Sequence, residues 1–326
     1  MTGYLVRRLL GVVPVLLAAT ALVWVLMFLL PGDPARLMAG GQGADPEILR
    51  AIRAEWRLDE PAWVQFTRYL GRITSGDLGT SYIQGRPVSA VLRDHLLPTA
   101  VLACAAAALA SFAGVALGAF AAARRGRAAD FLVLTLAVLG ASTPVFWLAL
   151  LLMLVFAARL HWFPVLGYGT DGWLLPIVGA RLPEWDHLVL PAVTLALLTM
   201  GAIARVTRAS LIEAGAHEFL RAAAARGAGR GRIFLRHALR NALVPVLTVL
   251  GLNLASLLSG AVATEFVFAW PGLGKALVRA IALRDVPVVE GCVLLLTAVY
   301  VLASLAVDLL YPLVDPRMMG TSGDSV

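Results

Sequence analysis

Lysine is almost missing from this chain of 326 residues: Lys275 stands alone, and arginine carries the rest of the positive charge. Charge of either sign is scarce. Only 14% of the residues are Asp, Glu, Lys or Arg, against about a quarter in a soluble domain. With 60% hydrophobic residues and a mean hydropathy of +0.83, that scarcity excludes an ordinary soluble globular domain. The composition is that of an all-α polytopic membrane protein. The net charge of +7 is no signal for nucleic acid, because the arginines cluster at the ends of apolar runs, where they set orientation in the bilayer. Cysteine is nearly absent too. Cys104 and Cys292 lie far apart in apolar runs without metal-ligand spacing, which excludes a disulfide framework and a zinc site. Catalytic signatures are also lacking. There is no G-x-S-x-G, no H-E-x-x-H and no phosphate-binding loop, so the chain reads as a non-enzyme with no catalytic residues, metal or cofactor of its own. The glycines of Arg226-Gly227-Ala228-Gly229-Arg230-Gly231 approach a dinucleotide spacing, but they follow a helical pattern and no Lys-Ser ends the run.

Six stretches are long and apolar enough to cross a bilayer, which needs about 20 residues: about Leu9–Leu30, Leu97–Ala122, Phe131–Ala157, Leu188–Ala204, Ala242–Ala263 and Val288–Leu310. The first exceeds a signal-peptide core of roughly 7–15 residues and ends in no small-x-small cleavage site, so it reads as a retained helix. Acid is absent from the first three. Asp308 lies near one end of the sixth, and Glu265 and Glu290 near the opposite face. Proton pumps and ion-coupled secondary transporters place ionisable groups deep in their helices. Such a transporter is therefore the disfavoured alternative, and any transport draws its energy from another chain.

The arginines orient the spans. Arg7 and Arg8, then Arg124, Arg125 and Arg127, then Arg205 to Arg240, and finally Arg317 all fall on one side of a six-span arrangement. That side is cytoplasmic by the positive-inside rule, together with both termini. The chain then divides into an N-terminal membrane helix (1–30), an extracytoplasmic helical segment (31–96), a transmembrane domain (97–312) and a cytoplasmic tail (313–326). In the extracytoplasmic segment, Asp45-Pro46-Glu47 is a helix start with Ile48, Leu49, Ile52 and Trp56 on one face. Pro61 starts a second helix through Val64, Tyr69 and Ile73, Gly76-Asp77-Leu78-Gly79 breaks it, and Val88, Val91 and Leu92 form a third short apolar face. His161 to His187 is rich in tryptophan and proline, as an interfacial belt is. Its two histidines lack a third partner and read as structural rather than metal-binding. Thr264 to Pro287, with Trp270-Pro271-Gly272-Leu273-Gly274, is too polar and broken to span and reads as a segment dipping back into the bundle.

The segment 205–241 stands apart. From Arg205 through Pro245 the chain carries eight arginines, a helix former from His217 to Arg226 with consecutive alanines, a stop at Gly227 and Gly229, and a second helical pattern through Ile233, Leu235 and Leu239. Small side chains permit close approach by a second protein, and arginines offer bidentate partners to its carboxylates. A loop that merely satisfied the positive-inside rule would not need two helices and a break.

At these residues the chain resembles the ABC importer permeases, whose EAA loop reads E-A-A, three residues, then glycine. Here Arg221-Ala222-Ala223 and Gly227 occupy those places, with arginine instead of glutamate. The proline that closes the generic loop is displaced from the position of Asn241 to Pro245, a variant similar to the dipeptide/oligopeptide/nickel branch. Leu30-Pro31-Gly32-Asp33-Pro34, Gly76-Asp77-Leu78-Gly79, Thr264-Glu265 before Trp270-Pro271-Gly272-Leu273-Gly274, and Asp308-Leu309-Leu310-Tyr311 before Asp315-Pro316-Arg317 extend the resemblance over nearly the whole chain. It implies a type I importer permease fold and half of a translocation pathway for di-/oligopeptides or a related small solute, with nickel or a metal chelate as the alternative. It also implies the partners: a homologous second permease, two cytoplasmic ATPases that bind ATP and Mg, and an extracytoplasmic substrate-binding protein, in the plasma or inner membrane of a prokaryote. Glu218, Arg221, Ala222, Ala223, Arg226 and Gly227 would be the helix seated against the ATPase.

Overall fold

Each long apolar run becomes a helix, because inside a bilayer only a helix pairs its own backbone amides and carbonyls. The computed structural model describes residues 2–29, 34–39, 45–169, 174–175, 180–216 and 239–314. Its helices are α1 (Thr2–Leu29), α2 (Pro34–Met38), α3 (Pro46–Trp56), α4 (Ala62–Thr74), α5 (Val88–Ala123), α6 (Ala128–Ser142) and α7 (Val145–Leu152). They continue as α8 (Trp185–Ala216), α9 (Leu239–Val267), α10 (Leu273–Leu283) and α11 (Val286–Val314). Helix α7 runs on as a π-helical stretch, Met153–Arg159. Among the described residues, extended pairing is limited to β1 (Leu174–Leu175) against β2 (Ala180–Arg181) and one bridge between Thr80 and Pro87. Helices α5, α8 and α11 are each long and apolar enough to cross a membrane, and α6 with the α7 stretch makes a fourth, broken span. Helices α1 and α9, at 28 and 29 residues, also exceed the crossing length of about 20.

Three expectations change. The third predicted span is not one rod: α6 and α7 meet at a bend of 110°. Pro144 brings no amide and forces Thr143 into an extended conformation, so the ladder stops at Ser142. The fourth predicted span does not end at Ala204. Helix α8 continues for twelve more residues to Ala216, so the start of the basic segment is membrane helix prolonged, not loop. Val88, Val91 and Leu92 are not a separate element but the first turns of α5, whose helical range includes Pro98. Helix α3, by contrast, starts as its sequence predicts: the Asp45 carboxylate accepts a hydrogen bond from the Glu47 amide at 2.8 Å.

The chain forms two compact units. The first comprises residues 1–99, 174–181 and 270–301. Its core gathers Val88, Val91 and Leu92 from α5, Leu273, Ala276 and Ala280 from α10, and Val288, Val289 and Cys292 from α11. The Trp270-Pro271-Gly272 turn leads into α10 in the same unit. Trp270 is fully buried, and its indole N–H donates to the Pro98 carbonyl at 3.0 Å. The Leu273 amide, first of α10, donates to the Thr99 hydroxyl at 2.8 Å. Buried Asp285 accepts hydrogen bonds from the Ser81 hydroxyl and, at 2.9 Å, from the Tyr82 amide, closing the segment after α4 onto the turn between α10 and α11.

The second unit comprises residues 100–173, 182–269 and 302–326. Helix α8 is its axis and packs most extensively on α9, with Ala110, Ala196, Ile203 and Val246 in one buried cluster. Large apolar side chains of α6 and α7, among them Phe131, Leu132, Leu136, Phe146 and Trp147, point outward and stay exposed, the pattern of a surface solvated by lipid. Polar side chains along the helices bond to their own helix: Ser111 to the Ala107 carbonyl, Thr194 to Leu190 and Asn253 to Val249.

Candidate functional site

Glycine sets how closely the helices of the second unit approach. A Cβ on Gly201 of α8 would stand 2.4 Å from the Ala137 carbonyl oxygen of α6, and one on Gly140 would meet the Leu197 carbonyl at 3.4 Å. On the other flank, a Cβ on Gly118 of α5 would come within 2.4 Å of the Ala204 carbonyl, and one on Gly114 within 2.8 Å of Ile203. At Gly201, Gly140 and Gly118 these are backbone-to-backbone approaches of the kind that small residues permit between membrane helices. The pairings also fix direction. Partners on α5 and α8 rise together in number, so these helices run parallel, whereas on α6 and α8 they run in opposite senses.

The α6–α8 seam ends in an ion pair. Asp130 accepts from Arg208 Nε at 2.6 Å and Nη2 at 2.7 Å, and from the Gly126 amide at 3.0 Å. Asp130 and Ala137 are seven residues apart, as are Gly201 and Arg208, so the charged pair sits two turns along the seam from the glycine contact. The fork of Arg208 matches the carboxylate in a bidentate geometry that resists rotation as well as separation. Gly126, at a positive φ of 74°, makes the turn between α5 and α6 that presents its amide to Asp130. The carboxylate thus ties three things: the α5–α6 turn, the start of α6 and the arm of α8 leading into the basic segment.

Glu218, Arg221, Ala222, Ala223, Arg226 and Gly227 lie outside the described residues. What the structure places is their approach. Leu211 and Ala214 are buried on α8 while Arg205 and Glu213 are exposed, so the arm stays packed until it reaches them. Sequence reasoning missed Asp130. Its signal is a lone acid directly after Arg124, Arg125 and Arg127, at the start of an acid-free apolar run.

In the first unit, a cavity of about 490 Å³ is walled by Trp24, Trp56 and Tyr82, with Tyr69 and Arg72 of α4 and Glu290 of α11 reaching it. Trp56 meets Tyr82 edge-on at 4.9 Å. Burial, then the neighbouring Glu290 carboxylate, pushes the Tyr82 phenol up to about 12 and raises that of Tyr69 as well. Both hydroxyls therefore remain protonated donors at physiological pH. Glu290, read from sequence as an acid near one face, is buried in this wall. Glu265 is fully buried in the last turns of α9, in the second unit. His187 lies with Glu184 and Asp186, one ligand atom of each within 4.8 Å of the others, while His161 is outside the group. These side chains are partly open to solvent, and His187 lies 3.8 Å from Glu184.

The chain matches two family descriptions. Residues 114–320 match the binding-protein-dependent transport system inner membrane component, and residues 1–103 match the N-terminal part of such membrane components. It is 41% identical, over 98% of its length and 99% of the relative's, to a glutathione transport system permease protein from Salmonella paratyphi A. The protein of the same name from Escherichia coli strain K12 is 38% identical over the same shares.

Proposed function

The chain belongs to the inner membrane components of binding-protein-dependent transport systems and is a multi-pass permease subunit of an ABC importer, and from that premise we propose how it is driven and what it carries. Its solute is a peptide-like molecule with a free amino group, a class that includes the glutathione named for its Salmonella and Escherichia relatives. It works beside a homologous permease, on two ATPases that bind ATP and Mg, and receives solute from a binding protein outside. Its termini and the Arg124–Arg127 turn face the cytoplasm. Glu218, Arg221, Ala222, Ala223, Arg226 and Gly227 form the helix that seats in the ATPase, with Arg221 in place of the acid usual at that position.

The observation that carries this reading is the unbroken run of α8 into the basic segment, clamped to α6 by Asp130. A push delivered beyond Ala216 would travel along a packed helix rather than dissipate in a loop. Rigid elements with two discrete arrangements convey coupling in this way, and the ATPases bias the balance between them. The test is uptake of labelled dipeptide, glutathione and nickel by cells lacking the gene and by cells restored with it. Restoration of peptide or glutathione uptake supports the reading; restoration of nickel uptake alone overturns the proposed solute.

A further inference from the structure

We propose that the cavity of the first unit is a binding site for a small zwitterionic solute, holding its ammonium group at Glu290 and its carboxylate at Arg72. Three polar atoms at this cavity are buried without a hydrogen bond of good geometry among the described residues, the Tyr69 hydroxyl, Arg72 Nε and Glu290 Oε1, although Tyr69 and Arg72 both act on the neighbouring Glu290 carboxylate. Tyr69 is 4% exposed and Glu290 6%, so bulk solvent does not complete the bonding of this cluster. Buried polar groups are rarely left under-satisfied, and a cluster of three such groups beside one void points to an occupant that completes their bonds.

The charges state which occupant. Of the arginines in the wall, Arg68 and Arg57 are already engaged by Glu60, whose carboxylate contacts both. That leaves Arg72, neighboured by the buried Glu290 carboxylate and the Tyr69 phenol, lining the cavity, with Glu55 exposed beside them. An anion would meet Glu290, and a simple cation would meet Arg72. A molecule carrying both charges answers both. Trp24, Trp56 and Tyr82 supply flat apolar surface for a side chain, and about 490 Å³ falls in the range of small-molecule sites, roughly 300–1,000 Å³. The site rests on the permease reading only in that its occupant is the transported solute.

The test uses the full chain assembled with its partner permease and ATPases in lipid nanodiscs, without the binding protein. Equilibrium dialysis measures radiolabelled Ala-Ala, N-acetyl-Ala-Ala and Ala-Ala amide. Saturable binding of Ala-Ala is expected, with each blocked form weaker by about tenfold, the effect of losing one hydrogen bond to a charged group. Glu290→Gln should abolish the preference for the free amine and keep that for the carboxylate, while Arg72→Gln should do the reverse. Tyr69→Phe, a smaller change, should weaken all three probes and serves if Glu290→Gln does not assemble. No saturable binding, or an amine preference unchanged in Glu290→Gln, overturns the site. ATP hydrolysis stimulated by the binding protein, measured on the same preparations, separates the two readings. Stimulation without dipeptide binding sinks this site alone; its absence from the unsubstituted complex sinks the permease reading.

Discussion

Replacing Gly201 with alanine tests the α6–α8 seam with one methyl group. The new Cβ would sit 2.4 Å from the Ala137 carbonyl oxygen and 3.0 Å from that residue's carbonyl carbon and Cα. All three are backbone atoms, so no side chain can swing aside, and the helices must part by about 1 Å to reach ordinary contact. Overpacking of this kind costs about 1–3 kcal/mol. Alanine also brings a helix-propensity gain of about 1 kcal/mol over glycine, which blurs the single measurement. Gly215, on the same helix, supplies the control, because a methyl group there would meet nothing within 4 Å. Because the propensity gain is common to both variants, Gly201→Ala should be less stable than Gly215→Ala by about 1–3 kcal/mol. Thermal denaturation of the two purified complexes reads that difference directly. A Gly201→Ala complex as stable as the Gly215→Ala complex would refute the close approach.

Two further substitutions probe the remaining ties. Asp285→Ala should destabilise the first unit by about 2–4 kcal/mol, since it orphans the buried Ser81 hydroxyl and the Tyr82 amide together; an unchanged melting temperature would count against that junction. Asp130→Arg and Arg208→Asp should each depress ATP-driven uptake, and the double exchange should recover part of it; additive losses would show that the pair does not act as a clamp.

The spans were legible in the sequence because bilayer thickness imposes a length and an apolar composition that can be read residue by residue. The start of α3 was legible because Asp45, Pro46 and Glu47 act within a single turn. Four features were not. The reach of α8 to Ala216 was hidden because Arg205 and Arg208 read as loop, whereas Arg208 is neutralised by Asp130, a partner 78 residues away. The extension of α5 upstream of Pro98 was hidden because a proline suggests a boundary, yet Val88, Val91 and Leu92 are held by core contacts with α10 and α11. Pro144 did signal the 110° bend, but the long apolar runs on both sides of Ser142-Thr143-Pro144 read together as one span. The cavity was unreadable for a different reason: Trp56, Tyr69 and Glu290 belong to three helices, and only packing brings them to one wall.

The central claim is that force enters this chain at the segment ending in Gly227 and travels along α8. The most direct measurement is ATP hydrolysis and solute uptake by reconstituted complexes, with and without Gly227→Trp, in the presence of loaded binding protein. The account predicts that the substituted permease still assembles in the membrane but loses uptake and the stimulation of hydrolysis by the binding protein. Uptake at the rate of the unsubstituted complex would contradict it.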